Sequence, residues 1–383
     1  MCPAPTERLE KVSFIENFVS PYLKGLKFTF TQNDRKRSFD LVLRHCSVAT
    51  VLYHTTLKKF VFVRQFRPAV LIGHILRQPE NFGKKLSEVR WSDYEASHGY
   101  TMELCAGLID KDISIVDVMK EEIEEECGYA VKSENIHLIA TFSIAAHESG
   151  GIQYLFYTEV DDSMKVTEGG GNPAEDEYIT KVFLSESEVL DFVNDENCTG
   201  PPSMLYGLLW WFAHRPHPKM TQPTASAYEW RPKGMMPMTD YKFEKMSSSS
   251  RFIPHRMQFT LAQPLEWAYT LEMCSGHYKT GSSVEEIDSR VKDIVAKKCG
   301  YQIQSFRYVK SFIVGISFSG DRQRAYYARI NDSMRIKDWT PYEDITPISI
   351  PYSTIPSILR ADLPIGPPAV LYMMQWFLNN NEQ

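Results

Sequence analysis

An internal repeat constrains this chain of 383 residues more than any other feature. The segment YTMELCAG returns as YTLEMCSG, the tripeptide Cys-Gly-Tyr begins at Cys127 and again at Cys299, GIQYLFYTEV resembles DRQRAYYARI, and GPPSMLYGLLWWF returns as GPPAVLYMMQWF. The matches keep the same order, and they lie 166 positions apart at Gly200 and Gly366 and 172 apart at the two cysteines. A period of this length indicates two copies of a whole domain rather than a solenoid.

The repeat predicts three regions of the chain. Residues 1–213 form the first copy and residues 251–383 the shorter second copy, in which Phe60–Val70 has no counterpart. Residues 214–250 are rich in Pro, Ser, Thr and Met and show no hydrophobic period. Such composition predicts a linker with divergent structure between the copies.

The first copy mixes strand patterns with two kinds of helix. Segments such as SVATVLYH, KKFVFVRQF and IQYLFYTEV are rich in β-branched and aromatic residues and predict strands. A central helix is predicted after Ser114, which with Asp117 three residues later has the pattern of a capping box, and Gly128 can end it. A second helix is predicted in PPSMLYGLLWWFAH. This order predicts an α/β sandwich of the α+β kind rather than a doubly wound sheet, present in two tandem copies.

Composition excludes several classes of protein. The net charge of −6 argues against nucleic acid as the main partner. No apolar run reaches the ~18 residues of a membrane span, and the N-terminus lacks the apolar core of a signal peptide. The seven cysteines include no Cys-x-x-Cys pair, which predicts reduced thiols and a cytoplasmic protein rather than a disulfide framework.

The segment KEEIEEECGY places five glutamates within six positions of the predicted helix. Like charges three or four residues apart on a helix repel each other. At about 100° per residue, Glu122, Glu125 and Glu126 share one face, whereas Ile123 points toward a core. Either this face is solvated, or its carboxylates hold a hard divalent cation such as Mg²⁺ or Mn²⁺.

The second copy gives an internal comparison for the acidic face. Counted back from Cys-Gly-Tyr, the positions that match Glu122, Glu125 and Glu126 hold Ile294, Lys297 and Lys298. A cation cannot bind among lysines. The difference favours one working metal site and one abandoned site, although a surface that has drifted would give the same pattern.

The segment GLIDKDISIVDVMKEEIEEECGY resembles the box of the Nudix hydrolase family, G-x5-E-x7-R-E-U-x-E-E-x-G-U, where U is bulky and apolar. Gly107 stands at its first position. The segment departs from the box twice, with Ile113 in place of the first glutamate and Glu121 in place of the arginine. In the family these two positions support the acidic cluster, so the departures put the turnover rate in doubt more than metal binding, and Lys120 could replace the arginine in part.

The segments VRQFRPAV, ELCAGLID, FYTEV and GGG, with the closing GLLWWF helix, extend the resemblance over about residues 14–212, toward the sugar-nucleotide branch of the family. The second copy resembles the same fold without the box. The resemblance implies Mg²⁺-dependent hydrolysis of nucleoside diphosphate sugars, such as UDP-glucose to UMP and glucose 1-phosphate. ADP-ribose is the alternative substrate. The other alternative is a non-catalytic protein that binds nucleotide sugars or acts as a scaffold.

The resemblance also implies residues of the site. The implied metal ligands are the carbonyl of Ala106 and the carboxylates of Glu122, Glu126 and Glu177. The implied catalytic residues are Glu175, as the base that activates water, and Glu125, in support. The implied diphosphate-binding residues are Arg67 and Arg64. The glycine-rich EGGGNPAEDE stretch reads as a flexible lid that brings its base to the substrate.

A second copy without a metal site needs a reason to persist. Relatives in this branch pair as homodimers, in which the partner helps to form the substrate pocket. The resemblance therefore implies that the second copy packs on the first as a built-in partner, a pseudo-dimer within one chain. A homodimer of whole chains is the alternative.

Overall fold

The computed structural model describes residues 24–32, 35–144, 149–175, 177–195, 200–214, 239–244, 272–279, 281–316, 320–340, 347–360 and 366–380. The strands are β1 (Lys24–Gln32), β2 (Arg35–Leu43), β3 (Ser47–His54), β4 (Lys59–Phe66), β5 (Tyr100–Glu103), β6 (Cys105–Leu108), β7 (Ile136–Ile144), β8 (Gly151–Val160), β9 (Thr180–Ser185), β10 (Thr239–Glu244), β11 (Arg307–Val314) and β12 (Asp321–Tyr327). The α-helices are α1 (Pro68–Leu76), α2 (Ile115–Glu122), α3 (Glu186–Asn194), α4 (Pro202–Ala213), α5 (Val284–Cys299), α6 (Ile355–Leu359) and α7 (Pro368–Asn380).

Within the described residues, strands β3 to β9 form one mixed seven-stranded sheet. Strand β3 lies at its centre, parallel to β8 and antiparallel to β4 and β6. Strand β4 continues the sheet to β5 and β9, and β7 extends it beyond β8. The β3–β6 pairing sets Ala106 opposite Ala49, which fixes the strand end that precedes the acidic helix.

The two faces of this sheet are covered by different helices. On one face Val48 and Val61 pack with Met119 and Ile123 of the α2 region. On the other face Val51 and Phe60 pack with Trp211 and other apolar residues of α4. Because side chains alternate between the faces of a strand, β3 and β4 supply both cores. The predicted α/β sandwich is confirmed for the first copy.

Helix α2 begins and ends where its sequence predicts. The Ser114 hydroxyl accepts a hydrogen bond from the Asp117 N–H at 3.1 Å, which satisfies a backbone donor of the first turn. The last turn, Ile123–Cys127, is a π-turn rather than a continuation of the α-helix. Gly128 then ends the helix in the left-handed region at φ 81°. π-turns are rare, and they occur frequently at functional sites.

Local contacts of the first copy recur in the second. Gly300 ends α5 at φ 77°, as Gly128 ends the π-turn. The carbonyl of Gly128 accepts a hydrogen bond from the Val166 N–H at 2.9 Å, and that of Gly300 accepts one from the Ile336 N–H at the same distance. These matched contacts support the duplication read from the sequence. The domain boundaries stay a prediction.

The two copies exchange equivalent hydrogen bonds. The Ser143 N–H of β7 donates to the Gly366 carbonyl at 3.1 Å, and the Ile313 N–H of β11 donates to the Gly200 carbonyl at 3.1 Å. Both glycines open a Gly-Pro-Pro segment at the start of the closing helix of their copy. Replacing each residue by its counterpart in the other copy therefore converts one hydrogen bond into the other.

A continuous apolar cluster joins the copies. Helix α4 packs against α7, and the core around α4 extends into the second copy. Its second-copy members include Val309, Phe312, Ile358, Val370 and Leu371. Helix α1 adds a polar contact, since the Arg77 Nη1 donates to the Gly320 carbonyl at 2.9 Å. The stretch that begins with α1 thus contacts the second copy.

Part of the predicted linker is a strand. Within residues 214–250, Thr239–Glu244 pairs antiparallel with β1 and completes the sheet β10-β1-β2. Residues 215–238 and 245–250 lie outside the described residues. This strand was not predicted, because the segment has no clear hydrophobic period and its partner strand lies more than 200 positions earlier in the chain. No helix in the described ranges combines the length and the apolar character needed to cross a bilayer.

Candidate active site

A cleft of about 2360 Å³ opens between the two copies. The first copy lines it with Arg67, Glu122 and Glu177, among others. The second copy lines it with residues that include Cys274 and Arg324. Glu122 and Glu125 of the acidic helix thus face a cavity to which both copies contribute, whereas Glu126 is fully buried.

Glu126 lies at the bottom of the acidic cluster. Its side chain is fully buried, and its Oε2 accepts a hydrogen bond from the Ala106 N–H at 3.0 Å. Its Oε1 has no hydrogen-bond partner among the described residues. Burial, helped by nearby anionic groups, raises the pKa of this carboxyl well above its ordinary value. A buried carboxylate oxygen without a partner is costly, unless a proton or a cation satisfies it.

Glu122 lies against the strand end that precedes α2. A side chain at Gly107 would collide with its carboxylate, so glycine at this position makes room for it. Burial and the neighbouring carboxylates of Glu125 and Glu177 raise the pKa of Glu122 to about 7. The three carboxylates are therefore close enough to repel one another.

The glycine run after the acidic helix has a structural reason. The Gly170 N–H donates to the Glu126 carbonyl at 3.0 Å, and the Gly171 N–H donates to the Glu125 carbonyl at 3.2 Å. Gly169, Gly170 and Gly171 all have positive φ, a region that disfavours other residues. Gly170 and Gly171 thus satisfy two carbonyls of the π-turn, and the flexible lid predicted for this stretch stays a prediction.

Arg67 forms a fork with a buried glutamate. Its Nε and Nη2 donate to the two carboxylate oxygens of Glu103 at 2.9 and 2.8 Å. The Thr101 hydroxyl donates to the same carboxylate through a very short hydrogen bond. Burial opposes the charged form of Arg67, but Glu103 and the fields of Glu126 and Glu177 outweigh it and raise the pKa of the guanidinium. Arg67 therefore stays charged beside the acidic cluster.

Arg44 is a second cation of the cleft. It is half-buried just before β3, and burial together with the charge of Arg67 lowers its pKa. Two guanidinium groups that repel each other in one cleft favour the binding of an anion between them.

The other predicted residues differ in their placement. Glu125 lies on the exposed side of the π-turn and lines the cleft. Glu175 ends the short turn Pro173–Glu175, and its side chain lies outside the described part of the structure. The Arg64 guanidinium stacks over the Tyr100 ring, 4.4 Å from its centroid. The roles predicted for these three residues stay predictions.

Comparisons with known proteins bear on the family. Uridine diphosphate glucose pyrophosphatase NUDT14 of Bos taurus is 31% identical to the chain over 212 residues, which make up 54% of this chain and 96% of the bovine protein. GDP-mannose pyrophosphatase of Cronobacter sakazakii is 30% identical over 178 residues, 45% of this chain and 78% of the bacterial protein. The chain belongs to the Nudix hydrolase family. The predicted resemblance and the predicted class, a hydrolase that acts on acid anhydrides, are thereby confirmed.

Two further comparisons concern family models and solved structures. No family model matches the chain. The crystal structure of an ADP compounds hydrolase aligns with 55% of this chain and 95% of its own, at a TM-score of 0.37 and 13% sequence identity.

The positions that depart from the Nudix box lie away from the buried carboxylates. Glu121 is exposed and pairs with the Lys111 ammonium at 2.5 Å. Ile113 is 40% exposed in the loop before α2. Lys120, considered as a partial replacement for the box arginine, instead contacts Asp117 at 3.3 Å. None of these three described side chains supports Glu126, whose position depends on Ala106 and the glycine run.

The oxygen atoms of the acidic cluster are chemically suited to a divalent cation. Their present arrangement suits one less well. Carboxylate oxygens suit Mg²⁺ and Mn²⁺, and the Glu126 Oε1 is a buried acceptor without a partner in the described residues. No three His, Cys, Asp or Glu side chains of the described ranges converge closely enough to hold an ion as they stand. A cation at Glu122 and Glu126 therefore requires a side-chain rotation or a backbone ligand such as the Ala106 carbonyl.

Sequence analysis missed two residues of the candidate site. Glu103 is 3% exposed and orients Arg67, and Arg44 places a second cation in the cleft. A signal for Glu103 was present, since a charged residue inside an otherwise apolar strand requires a partner. Glu103 also recurs in the repeat as Glu272. Arg44 precedes a strand without any motif, so the sequence contained no comparable signal for it.

Proposed function

We propose that this Nudix chain hydrolyses the diphosphate of nucleoside diphosphate sugars, with UDP-glucose as the leading substrate, giving UMP and glucose 1-phosphate. The observation that carries the proposal is the cleft that Arg67, Glu122 and Glu177 line. The charges of Glu177 and of the buried Glu126 act on Arg67, and that of Glu177 also acts on Glu122. Carboxylates beside a guanidinium suit a cation-bound diphosphate. The two named relatives support the choice of substrate class, since they are pyrophosphatases of UDP-glucose and GDP-mannose.

Arg67 and Arg44 would bind the diphosphate oxygens. The ion pair with Glu103 involves the Nε and Nη2 of Arg67 but not its Nη1. The fork holds the guanidinium plane in one orientation, so little side-chain entropy is lost when phosphate binds. Arg44 would then offset the second phosphate charge, and the repulsion between the two guanidinium groups would be relieved.

The acidic cluster would hold Mg²⁺ or Mn²⁺ through Glu122, Glu126, Glu177 and the Ala106 carbonyl. A bound divalent cation neutralises phosphate charge and lowers the pKa of a bound water. The Ala106 N–H donates to one oxygen of Glu126, and the other oxygen has no hydrogen-bond partner among the described residues. Deprotonation of Glu122 near pH 7 would complete the donor set.

Glu175 would serve as the general base, with Glu125 in support. The turn that carries Glu175 follows the glycine run, whose N–H groups are tied to the carbonyls of Glu125 and Glu126. This role rests on the resemblance to the Nudix family. A positioned carboxylate that takes the proton typically contributes about 10²–10⁴-fold.

The second copy would act as a built-in partner. The exchanged hydrogen bonds at Gly200 and Gly366 and the joint apolar cluster have the features of a two-fold interface between like domains. The second copy would then supply one wall of the cleft in every chain. A monomer in light scattering supports this pseudo-dimer. A homodimer whose copies separate within each chain contradicts it.

The test is an assay of a panel of nucleotide sugars with Mg²⁺ and with Mn²⁺. UDP-glucose, GDP-mannose and ADP-ribose should be compared at equal concentration, with release of nucleoside monophosphate as the readout. UDP-glucose is expected to give the highest kcat/KM. Higher turnover of ADP-ribose would move the chain to the alternative substrate. Cation-dependent binding of these compounds without turnover would favour the non-catalytic alternative, for which the departures at Ile113 and Glu121 speak.

A further inference from the structure

Two cysteines of the second copy lie side by side in the wall of the cleft. Cys274 is exposed, Cys299 is half-buried, and the two thiols are close enough to shift each other's pKa. The Cys274 Sγ also lies 3.7 Å from the Ile294 carbonyl. A side chain at Gly276 would collide with Ile294, so the segment that carries Cys274 packs closely on α5. Both thiols line the cleft and are accessible from it.

The first copy has the same pair in a different environment. Cys105 and Cys127 occupy the equivalent positions of the repeat, and Cys127 likewise shifts the pKa of Cys105. Both are fully buried, next to the carboxylate of Glu126. Burial without a cation, beside a carboxylate, opposes a thiolate and keeps a cysteine inert. The first-copy pair is therefore a packing element.

The neighbouring charge is reversed in the second copy. Lys298 stands at the position of Glu126, and its ammonium favours the thiolate of Cys299. The neighbouring Cys274 thiol is the larger cause, and together these contacts outweigh burial and lower the pKa of Cys299 to about 7. Loss of the acidic cluster thus gave the second copy an accessible thiol that is easily ionised.

We propose that Cys274 and Cys299 are a redox-active thiol pair, which a peroxide converts to an intramolecular disulfide. The Cys299 thiolate attacks one peroxide oxygen, the O–O bond breaks, and the sulfur becomes a sulfenic acid while hydroxide leaves and takes a proton to form water. The Cys274 thiol then attacks the sulfenic sulfur, and the second water leaves with the thiol proton. Two thiols and one peroxide give one disulfide and two waters, and a dithiol reductant reverses the change.

The disulfide would tie the cleft wall to the end of α5. The segment 272–276 and α5 both line the cleft, and the new bond would join them at Cys274 and Cys299. The matching strand end and helix of the first copy are held by the contact between the Ala106 N–H and Glu126. The second copy would thus acquire by oxidation a covalent substitute for a contact that its sequence no longer provides.

The test uses the full-length folded chain and no substrate, so it does not depend on the proposed hydrolase activity. The chain is treated with hydrogen peroxide, the remaining thiols are alkylated, and proteolytic peptides are mapped by mass spectrometry. A linked peptide containing Cys274 and Cys299 is expected, short of two hydrogen atoms and lost after dithiothreitol. Alkylation of both cysteines after peroxide treatment, with no linked peptide, would overturn the proposal.

Variants separate this pair from the other thiols. Cys46→Ser changes a half-buried cysteine of the first copy and should leave the linked peptide unchanged. Cys274→Ala removes the thiol beside Cys299 and is expected to slow iodoacetamide labelling of Cys299 at pH 7 by about tenfold. Lys298→Glu restores the first-copy charge and should slow it by about threefold. Unchanged labelling in both folded variants would contradict the role assigned to these contacts.

Discussion

The acidic helix of the first copy and α5 of the second have the same ends but carry opposite charges at matched positions. Both begin at a serine cap, Ser114 and Ser283, and both end at a left-handed glycine that precedes tyrosine. The first ends in a π-turn and carries Glu122, Glu125 and Glu126, whereas α5 is α-helical throughout and has Ile294 and two lysines at the matched positions. The two helices thus share their caps and differ in the charge of the side chains between them.

A second pair of matched residues shows the same division. Glu103 is 3% exposed and paired with Arg67, while its counterpart Glu272 is exposed. The segment that supplies Arg67 has no counterpart in the second copy. Glu103 and Glu272 therefore differ in exposure although they match in sequence, and the arginine that pairs with Glu103 lies in a different segment from it.

The comparison predicts its largest effect for the acidic face. Glu122→Gln combined with Glu126→Gln is expected to lower kcat for the best nucleotide sugar by at least about 10³-fold, because a neutral amide binds a divalent cation weakly. Release of nucleoside monophosphate with Mg²⁺ measures the effect. Calorimetric titration with Mn²⁺ should show the loss of cation binding in the same variant.

The matched control changes the second copy at the equivalent helix end. Lys297 is exposed and contacts Asp293 at 3.0 Å, so Lys297→Gln should leave kcat within about twofold, as surface ion pairs contribute little. A double glutamine variant of the first copy that retains full turnover would show that the acidic face is only a solvated surface.

The next effect concerns the ion pair between Arg67 and Glu103. Arg67→Met leaves Glu103 buried and uncompensated, and it should lower the free energy of unfolding by about 3–4 kcal/mol. Urea denaturation at pH 7 measures the change. The exposed counterpart gives the control, since Glu272→Gln should cost less than about 0.5 kcal/mol. Adding Glu103→Met to Arg67→Met should recover most of the loss, and a double variant no more stable than Arg67→Met would argue against this pairing.

A smaller effect depends on pH, through Glu122. Its folded pKa of about 7 lies above the ordinary value of 4.5, so the folded chain binds the extra proton and loses stability as pH rises from 4.5 through 7. Glu122→Gln removes this loss and should stabilise the cation-free chain by about 2 kcal/mol at pH 8, with almost no effect near pH 4. Urea denaturation with a chelator at both pH values measures the difference. A difference that is the same at both would contradict the raised pKa.

Sequence analysis predicted the helix ends and the sandwich better than it predicted contacts between residues that are distant in the sequence. The serine cap, the terminal glycine and the sandwich follow from local patterns, which is why they were confirmed. The π-turn was not predicted, because Glu122 and Glu126 also fit an α-helix. Glu103 and Arg44 were missed because their roles depend on residues brought close by folding. The strand Thr239–Glu244 was missed for the same reason, since its pairing is with β1.

The smallest effect compares the glycines that end the two helices. Gly128→Ala and Gly300→Ala should each cost about 1–2 kcal/mol, because both positions have left-handed φ. At Gly128 the new methyl group would also meet the Thr167 carbonyl, which is backbone, whereas at Gly300 it would meet the ring of Trp339. A side chain can shift more easily than backbone, so Gly128→Ala should cost about 1 kcal/mol more in urea denaturation.

The two glycine variants also distinguish an effect on helix structure from an effect on cation binding. Moving the Thr167 backbone would disturb the adjacent glycine run, whose N–H groups hold the carbonyls of Glu125 and Glu126. Gly128→Ala should therefore weaken Mn²⁺ binding in calorimetry, while Gly300→Ala leaves it unchanged. Equal loss of cation affinity in both variants would mean that the two helix ends are coupled through the joint core, and that the second copy supports the acidic cluster as well as the wall opposite it.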